Sequence, residues 1–112
     1  MDRGMKDPIR GNTISWTFTD GPTASKKFEH EFHSDGSVVY RMSGSDKSTT
    51  EKAYESAQIS DKVFAVSYLG SSGWTLTTIL DFETGKAVAF ASNDKQLVVQ
   101  HGTFQIVAKH AA

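Results

Sequence analysis

The stretch Val63–Ser92, VFAVSYLGSSGWTLTTILDFETGKAVAFAS, constrains the fold more than any other part of the chain. It holds three apolar runs separated by two compact, glycine-containing breaks. In the first run Phe64, Val66 and Tyr68 alternate with Ala65 and Ser67. In the second, Trp74, Leu76, Leu80 and Phe82 alternate with Thr75, Thr77 and Asp81. In the third, Val88 and Phe90 alternate with Ala87, Ala89 and Ala91. A period of two puts each set on one face of an extended strand. The breaks, Gly70-Ser71-Ser72-Gly73 and Glu83-Thr84-Gly85, are short enough only for antiparallel hairpins. The stretch therefore reads as a β-meander.

The remaining sequence extends the same rhythm. Met1–Arg10 is polar, contains Gly4 and Pro8, and reads as a flexible N-terminal arm, leaving 11–109 as one domain. Asn12–Phe18 is the first expected strand, with Ile14, Trp16 and Phe18 on one face, and Asp20-Gly21-Pro22 ends it. Ser25–His33 is the second, with Phe28, His30 and Phe32 facing a buried side and Lys27, Glu29, Glu31 and His33 the other. Ser34-Asp35-Gly36 is a hairpin signal, because Asp-Gly suits turns that match strand twist. Ser37–Ser43 follows, then Gly44–Thr50, a small and polar loop expected to act as a mobile lid. Glu51–Ile59 is expected as one strand. After the meander, Gln96–His101 and Thr103–Val107 are expected as strands broken by a bulge or bend at Gly102. Such a series manages its edges by closing into a barrel or packing as a sandwich. A small antiparallel barrel has room inside for side chains or one small ligand.

Composition narrows the function classes. At 112 residues the chain makes one domain, able to bury roughly two thirds of its unfolded surface. Twelve basic residues against thirteen acidic ones, with no basic block, lack the electrostatic footprint of a nucleic-acid binder. No apolar run is long enough for a transmembrane helix. The charged N-terminus has no hydrophobic signal region. Without cysteine, disulfide frameworks and thiolate metal sites are excluded, and a cytoplasmic location is the expectation.

Several side chains can carry chemistry, each with a plain structural reading beside it. His30, between Phe28 and Phe32, is either a polar handle in a cavity or a core histidine satisfied by a neighbour. His30 and His33 cannot pair on a metal, since three-residue spacing on a strand separates their faces. Tyr40, Tyr54 and Tyr68 offer apolar bodies with single hydroxyls, suited either to a ligand cavity or to a barrel core. Arg41 is an anion clamp if it points inward and a surface charge if outward. Trp16 and Trp74 are large enough to plug one barrel end. His101 and His110 have no evident partners. No serine elbow, phosphate loop or catalytic carboxylate pair is present.

Thr17-Phe18-Thr19-Asp20-Gly21, Glu51 with Tyr54, Phe64–Tyr68, Leu80–Gly85 and Gly102-Thr103-Phe104 occur in an order and spacing that resemble the MoaF-like family of small lipocalin or calycin barrels. The resemblance runs from Gly11 to about Val107. Tyr68 stands where that family commonly has tryptophan. What it implies is an all-β, up-and-down antiparallel barrel of eight to nine strands with a central cavity. The phenolic acid decarboxylases, a related calycin group, supply a test. Where their catalytic pattern has two tyrosines, an arginine and an acid, this chain has Trp16, Phe18, Thr49 and Gly70, so that chemistry is not expected.

These readings lead to a non-catalytic barrel binding a small aromatic or amphipathic molecule, with Trp16, Phe28, His30, Tyr54, Tyr68 and Arg41 as the ligand-contacting set. No cofactor, metal, nucleic acid or membrane is expected. A homodimer through an apolar face including Met42 and Val38 is a further expectation. The alternatives are a lyase or isomerase using His30 and a tyrosine as acid and base, and a solid-core module that binds another protein. A strongly shifted histidine beside an open mouth is the sign expected of the enzyme.

Overall fold

The computed structural model describes residues 7–109 and is all β among them. Its strands are β1 (Asn12–Phe18), β2 (Lys27–Phe32), β3 (Val38–Met42), β4 (Thr49–Glu51), β5 (Tyr54–Ser60), β6 (Val63–Leu69), β7 (Thr75–Asp81), β8 (Lys86–Ser92) and β9 (Leu97–Lys109). They form one antiparallel sheet in the order β4-β3-β2-β1-β9-β8-β7-β6-β5, curled into a nearly closed barrel. Every neighbour in that order is also a sequence neighbour except β1 and β9.

The loops after β1, β3, β6 and β8 gather at one end, called upper here, and those after β2, β5 and β7 at the lower end. β3 and β6 both run upward, so their antiparallel partners β4 and β5 both run downward. The two edges of the sheet are thus successive pieces of one descending path. It pairs first with β3, breaks at Lys52-Ala53, and continues on β6. The single strand expected over Glu51–Ile59 is divided here because it changes neighbours. Across the seam the Tyr54 amide donates to the Gly36 carbonyl at 3.0 Å and the Tyr54 hydroxyl to the His33 carbonyl at 2.9 Å.

The lower half is filled. Ile14, Phe32, Val38, Tyr54, Phe64, Val66 and Leu80 are buried there, with Phe82 packed edge-on between Phe64 and Phe104 at ring-centroid separations of 5.8 and 4.8 Å. Part of the expected arm belongs to this core. Ile9 is completely buried, and Asp7 caps the turn behind it by accepting from the Ile9 amide at 2.9 Å. Asp7 also accepts from the Ser56 hydroxyl at 3.0 Å, and Arg10 lies 5.0 Å above the Tyr54 ring. Asp7–Arg10 is therefore a fitted plug rather than a loose arm, because an isoleucine on it reaches the barrel interior. The arm's remaining residues, like His110, lie outside the described residues.

The expected bulge at Gly102 is also corrected. β9 runs through it without a register break, and the extra residue is Val107, between the Ile14–Ile106 and Thr13–Ala108 pairs. Gly102 is needed for close approach instead. An added Cβ would meet the Thr17 carbonyl carbon at 2.8 Å and the Phe18 Cα at 3.0 Å. Ser15, on the outer side of β1, is buried.

Candidate functional site

Strand alternation in β8 leaves open which of its two apolar faces turns inward, and the outcome shapes the interior. Ala87, Ala89 and Ala91 face the lumen, whereas Phe90 is 41% exposed outside. Small residues opposite the large ones of β1 and β2 leave the upper half of the barrel hollow. The resulting cavity measures about 430 Å³, within the range of small-molecule sites.

Its walls come from most of the sheet. β1 and β2 supply Trp16, Phe18, Phe28 and His30, β3 and β6 supply Tyr40 and Tyr68, and β7 supplies Leu76 and Thr78. Pro22 and Thr23, Trp74, and Gln96 bring the upper loops to its mouth. Both tryptophans line this space, so neither acts as a simple end plug. The Gly44–Thr50 segment is not a lid: Thr49 and Thr50 belong to β4, and none of its residues contributes to the cavity wall.

His30 is the polar centre of the wall. Its ring stacks on Trp16 at 3.9 Å between centroids and lies nearly parallel to Tyr40 at 5.6 Å. Nε2 is 2.9 Å from the Tyr68 hydroxyl, while Nδ1 is buried without a hydrogen-bond partner. If Tyr68 donates to Nε2, one ring N–H is unmet. The opposite tautomer leaves both Nδ1 and the phenolic proton unmet by this pair, so the first arrangement is favoured. Burial among apolar rings lowers the His30 pKa to about 3, keeping the imidazole neutral. Burial, reinforced by Tyr40 and Glu51, pushes the Tyr68 hydroxyl far above its ordinary value.

Glu51 stands behind Tyr40, in the corner where the descending strand breaks. It is 5% exposed. Its carboxylate accepts from the Ser71 amide at 2.9 Å, the Ser71 hydroxyl at 3.2 Å and the Tyr40 hydroxyl at 3.4 Å. Burial and this neighbouring carboxylate raise the Tyr40 pKa.

The other predicted site residues are placed elsewhere. Tyr54 is 2% exposed in the filled lower half, edge-on to Phe32 at 5.0 Å, and does not line the cavity. Its hydroxyl is committed to the barrel seam. Arg41 points outward, because Tyr40 takes the inward position beside it. The guanidinium reaches Glu29 at 3.3 Å and Glu31 at 3.2 Å. Val38 faces the core and is fully buried, so it cannot join Met42 in an outer apolar face. His101, expected without a partner, has its Nδ1 2.9 Å from the Asp20 carboxylate. Among the described residues no group of three metal-ligating side chains is found.

Gln100 escaped the sequence reading, since a glutamine in a strand reads as solvent-facing. It lines the cavity and holds the β1–β2 loop over its mouth. Its Nε2 donates to the Asp20 carbonyl at 2.7 Å and its Oε1 accepts from Thr23 at 2.9 Å. Gly21 makes room for it, as an added Cβ would lie 2.7 Å from the Gln100 amide carbon. Its placement on the alternation of β9 with Gly102 was the available signal.

Comparison with known proteins places this geometry. A solved structure from Burkholderia vietnamiensis, described as a "putative beta-lactamase", superposes with a TM-score of 0.74 at 14% identity, covering 92% of this chain and 99% of its own. That likeness shows a shared fold. No curated protein matches in sequence. No helix among the described residues is long and apolar enough to cross a membrane. The MoaF-like family model matches residues 11–105, which is nearly the whole barrel, and on that match the chain belongs to the MoaF-like family.

Proposed function

We propose that the protein binds a small, largely apolar or aromatic molecule in the upper half of its barrel and does no chemistry on it. The observation that carries this reading is the hollow, aromatic-walled cavity of about 430 Å³ above a filled lower core. Apolar burial supplies the affinity, and a few fixed polar groups orient the ligand. Trp16 and Phe28 provide wall area, while the His30–Tyr68 pair provides the polar contact.

The direction of the shifts on that pair argues against acid–base catalysis. A general base works best with a pKa near the operating pH. The histidine is displaced strongly, but away from neutrality, and the phenol moves in the opposite direction. A large shift alone is therefore the wrong criterion for an enzyme here. The beta-lactamase description does not transfer either, because among the described residues no serine or lysine lines the cavity to serve as nucleophile or base. A cytoplasmic setting remains part of the proposal and is tested by cell fractionation.

Native mass spectrometry of protein purified directly from its producing cells tests the binding reading. The expected result is a co-purifying small molecule that is lost in Tyr68→Ala. A ligand-free mass that persists after incubation with a metabolite extract would turn the reading toward a protein-interaction module.

A further inference from the structure

The walls of the cavity carry a statement about ligand charge, which rests on the binding reading above. Among the described residues no aspartate, glutamate, lysine or arginine lines the space. The charged side chains of β2 and β3 are turned outward, with Arg41 engaged by Glu29 and Glu31. The imidazole that does line the space is neutral because it is buried. An ion entering would give up its hydration for a mostly apolar wall whose few polar groups are uncharged, and these would return only part of it.

Glu51 makes the asymmetry sharper. It is a carboxylate set behind the wall, and Tyr40 and Ser71 donate to one of its oxygens, Oε2. An anion would meet its field without a cation to offset it. An ammonium would find that oxygen already engaged, and attraction to the ring faces would return only part of its lost hydration. What the wall does offer a neutral oxygen is the Thr78 hydroxyl and the Gln100 amide, both uncharged, since the Tyr40 and Tyr68 protons are already given to Glu51 and His30.

We propose that the cavity selects uncharged aromatic ligands bearing a neutral oxygen function and rejects the carboxylate and ammonium forms of the same skeleton. Three probes separate this from the binding reading itself: 2-acetylnaphthalene, 2-naphthoate and 2-naphthylmethylammonium, titrated at pH 7 into the full chain by calorimetry. Trp16 and Trp74 both line the cavity, so their fluorescence gives an independent readout. The ketone is expected to bind and both ions to bind at least about 100-fold more weakly, a loss of about 2.8 kcal/mol. Ala91→Leu, which adds bulk at a lining position, is expected to weaken the ketone. If it does not fold, Leu76→Trp makes the same test from the paired position on the neighbouring strand.

Either ion binding within about tenfold of the ketone overturns charge selection while leaving the binding reading intact. Unchanged ketone affinity in a folded cavity-filling variant places the ligand elsewhere and overturns the assignment to this wall. Failure of all three probes to bind removes both the selection and the aromatic-ligand reading beneath it.

Discussion

His30 shows how a single side chain can be visible in a sequence while its consequence is not. Alternation with Phe28 and Phe32 puts it on the buried face, as found. Its stacking on Trp16 and its contact with Tyr68 depend on residues brought from three strands, and no local pattern contains them. Arg41 could not be settled from sequence for the complementary reason, since both faces of β3 carry residues compatible with burial. The lowered His30 pKa has a sign that can be worked through. The unfolded chain takes up the His30 proton near pH 6.5 and the folded chain only near 3, so the stability held above about pH 6.5 is lost as pH falls toward 3. The expected slope is about 1.4 kcal/mol per pH unit in the middle of that window. Urea midpoints at pH 6.5, 5.5 and 4.5 measure it, and His30→Phe should flatten the slope. An unaltered slope in that variant would remove His30 as its cause. Asp20, Asp35 and Asp81, whose pKa values are lowered by hydrogen bonds, lose their contributions further down, below about pH 4. Tyr68→Phe leaves the imidazole without its partner and should cost about 1–3 kcal/mol of stability, read from the same midpoints.

At the scale of strands, the regular ones were legible because alternation and turn chemistry agree. β1 has the expected limits, and the Asp35-Gly36 hairpin forms with Gly36 at a φ of 99°. The errors cluster where two rules compete. Gly102 looks like a ladder defect in sequence, but it is a contact point where β1 presses onto β9. Gly102→Ala should therefore destabilise by roughly 1–3 kcal/mol or more, because backbone atoms of Thr17 and Phe18 must move. A thermal midpoint indistinguishable from the unmodified chain would refute the close-approach account. Glu51 is the second case. As one carboxylate in a polar stretch it gives no sign of burial, yet it pins the β6–β7 loop to the corner where the descending strand changes partner. Glu51→Ala should accelerate hydrogen exchange at the Ser71 amide by at least about tenfold, if that bond contributes about 1.4 kcal/mol.

The whole molecule divides into a solid lower half and a hollow upper half, and sequence indicated only that one or the other was available. Apolar content fixes how much can be buried, whereas the side of β8 that faces inward fixes where space remains. The lower half depends on Ile9 as much as on any strand residue. Ile9→Ala should cost about 2–5 kcal/mol, the range for deleting a buried aliphatic side chain, measured by chemical denaturation. An effect below about 0.5 kcal/mol would mean that Asp7–Arg10 is not part of the core in solution.

The broken descending strand also bears on how fast the ring can assemble. Every ladder joins sequence neighbours except the one between β1 and β9, whose pairing must wait until opposite ends of the chain meet. Asn12 pairs with Lys109, so a linker could carry β9 into the segment that precedes β1, and Lys52-Ala53 offers a cut in the seam. Begun at Ala53 and ended at Lys52, the permuted chain would lay down β5-β6-β7-β8-β9-β1-β2-β3-β4, a meander in which every ladder is local. Two-state folding rates rise as contacts become more local. The permutant should refold faster than the natural order in stopped-flow experiments, even where the cut seam lowers its equilibrium stability.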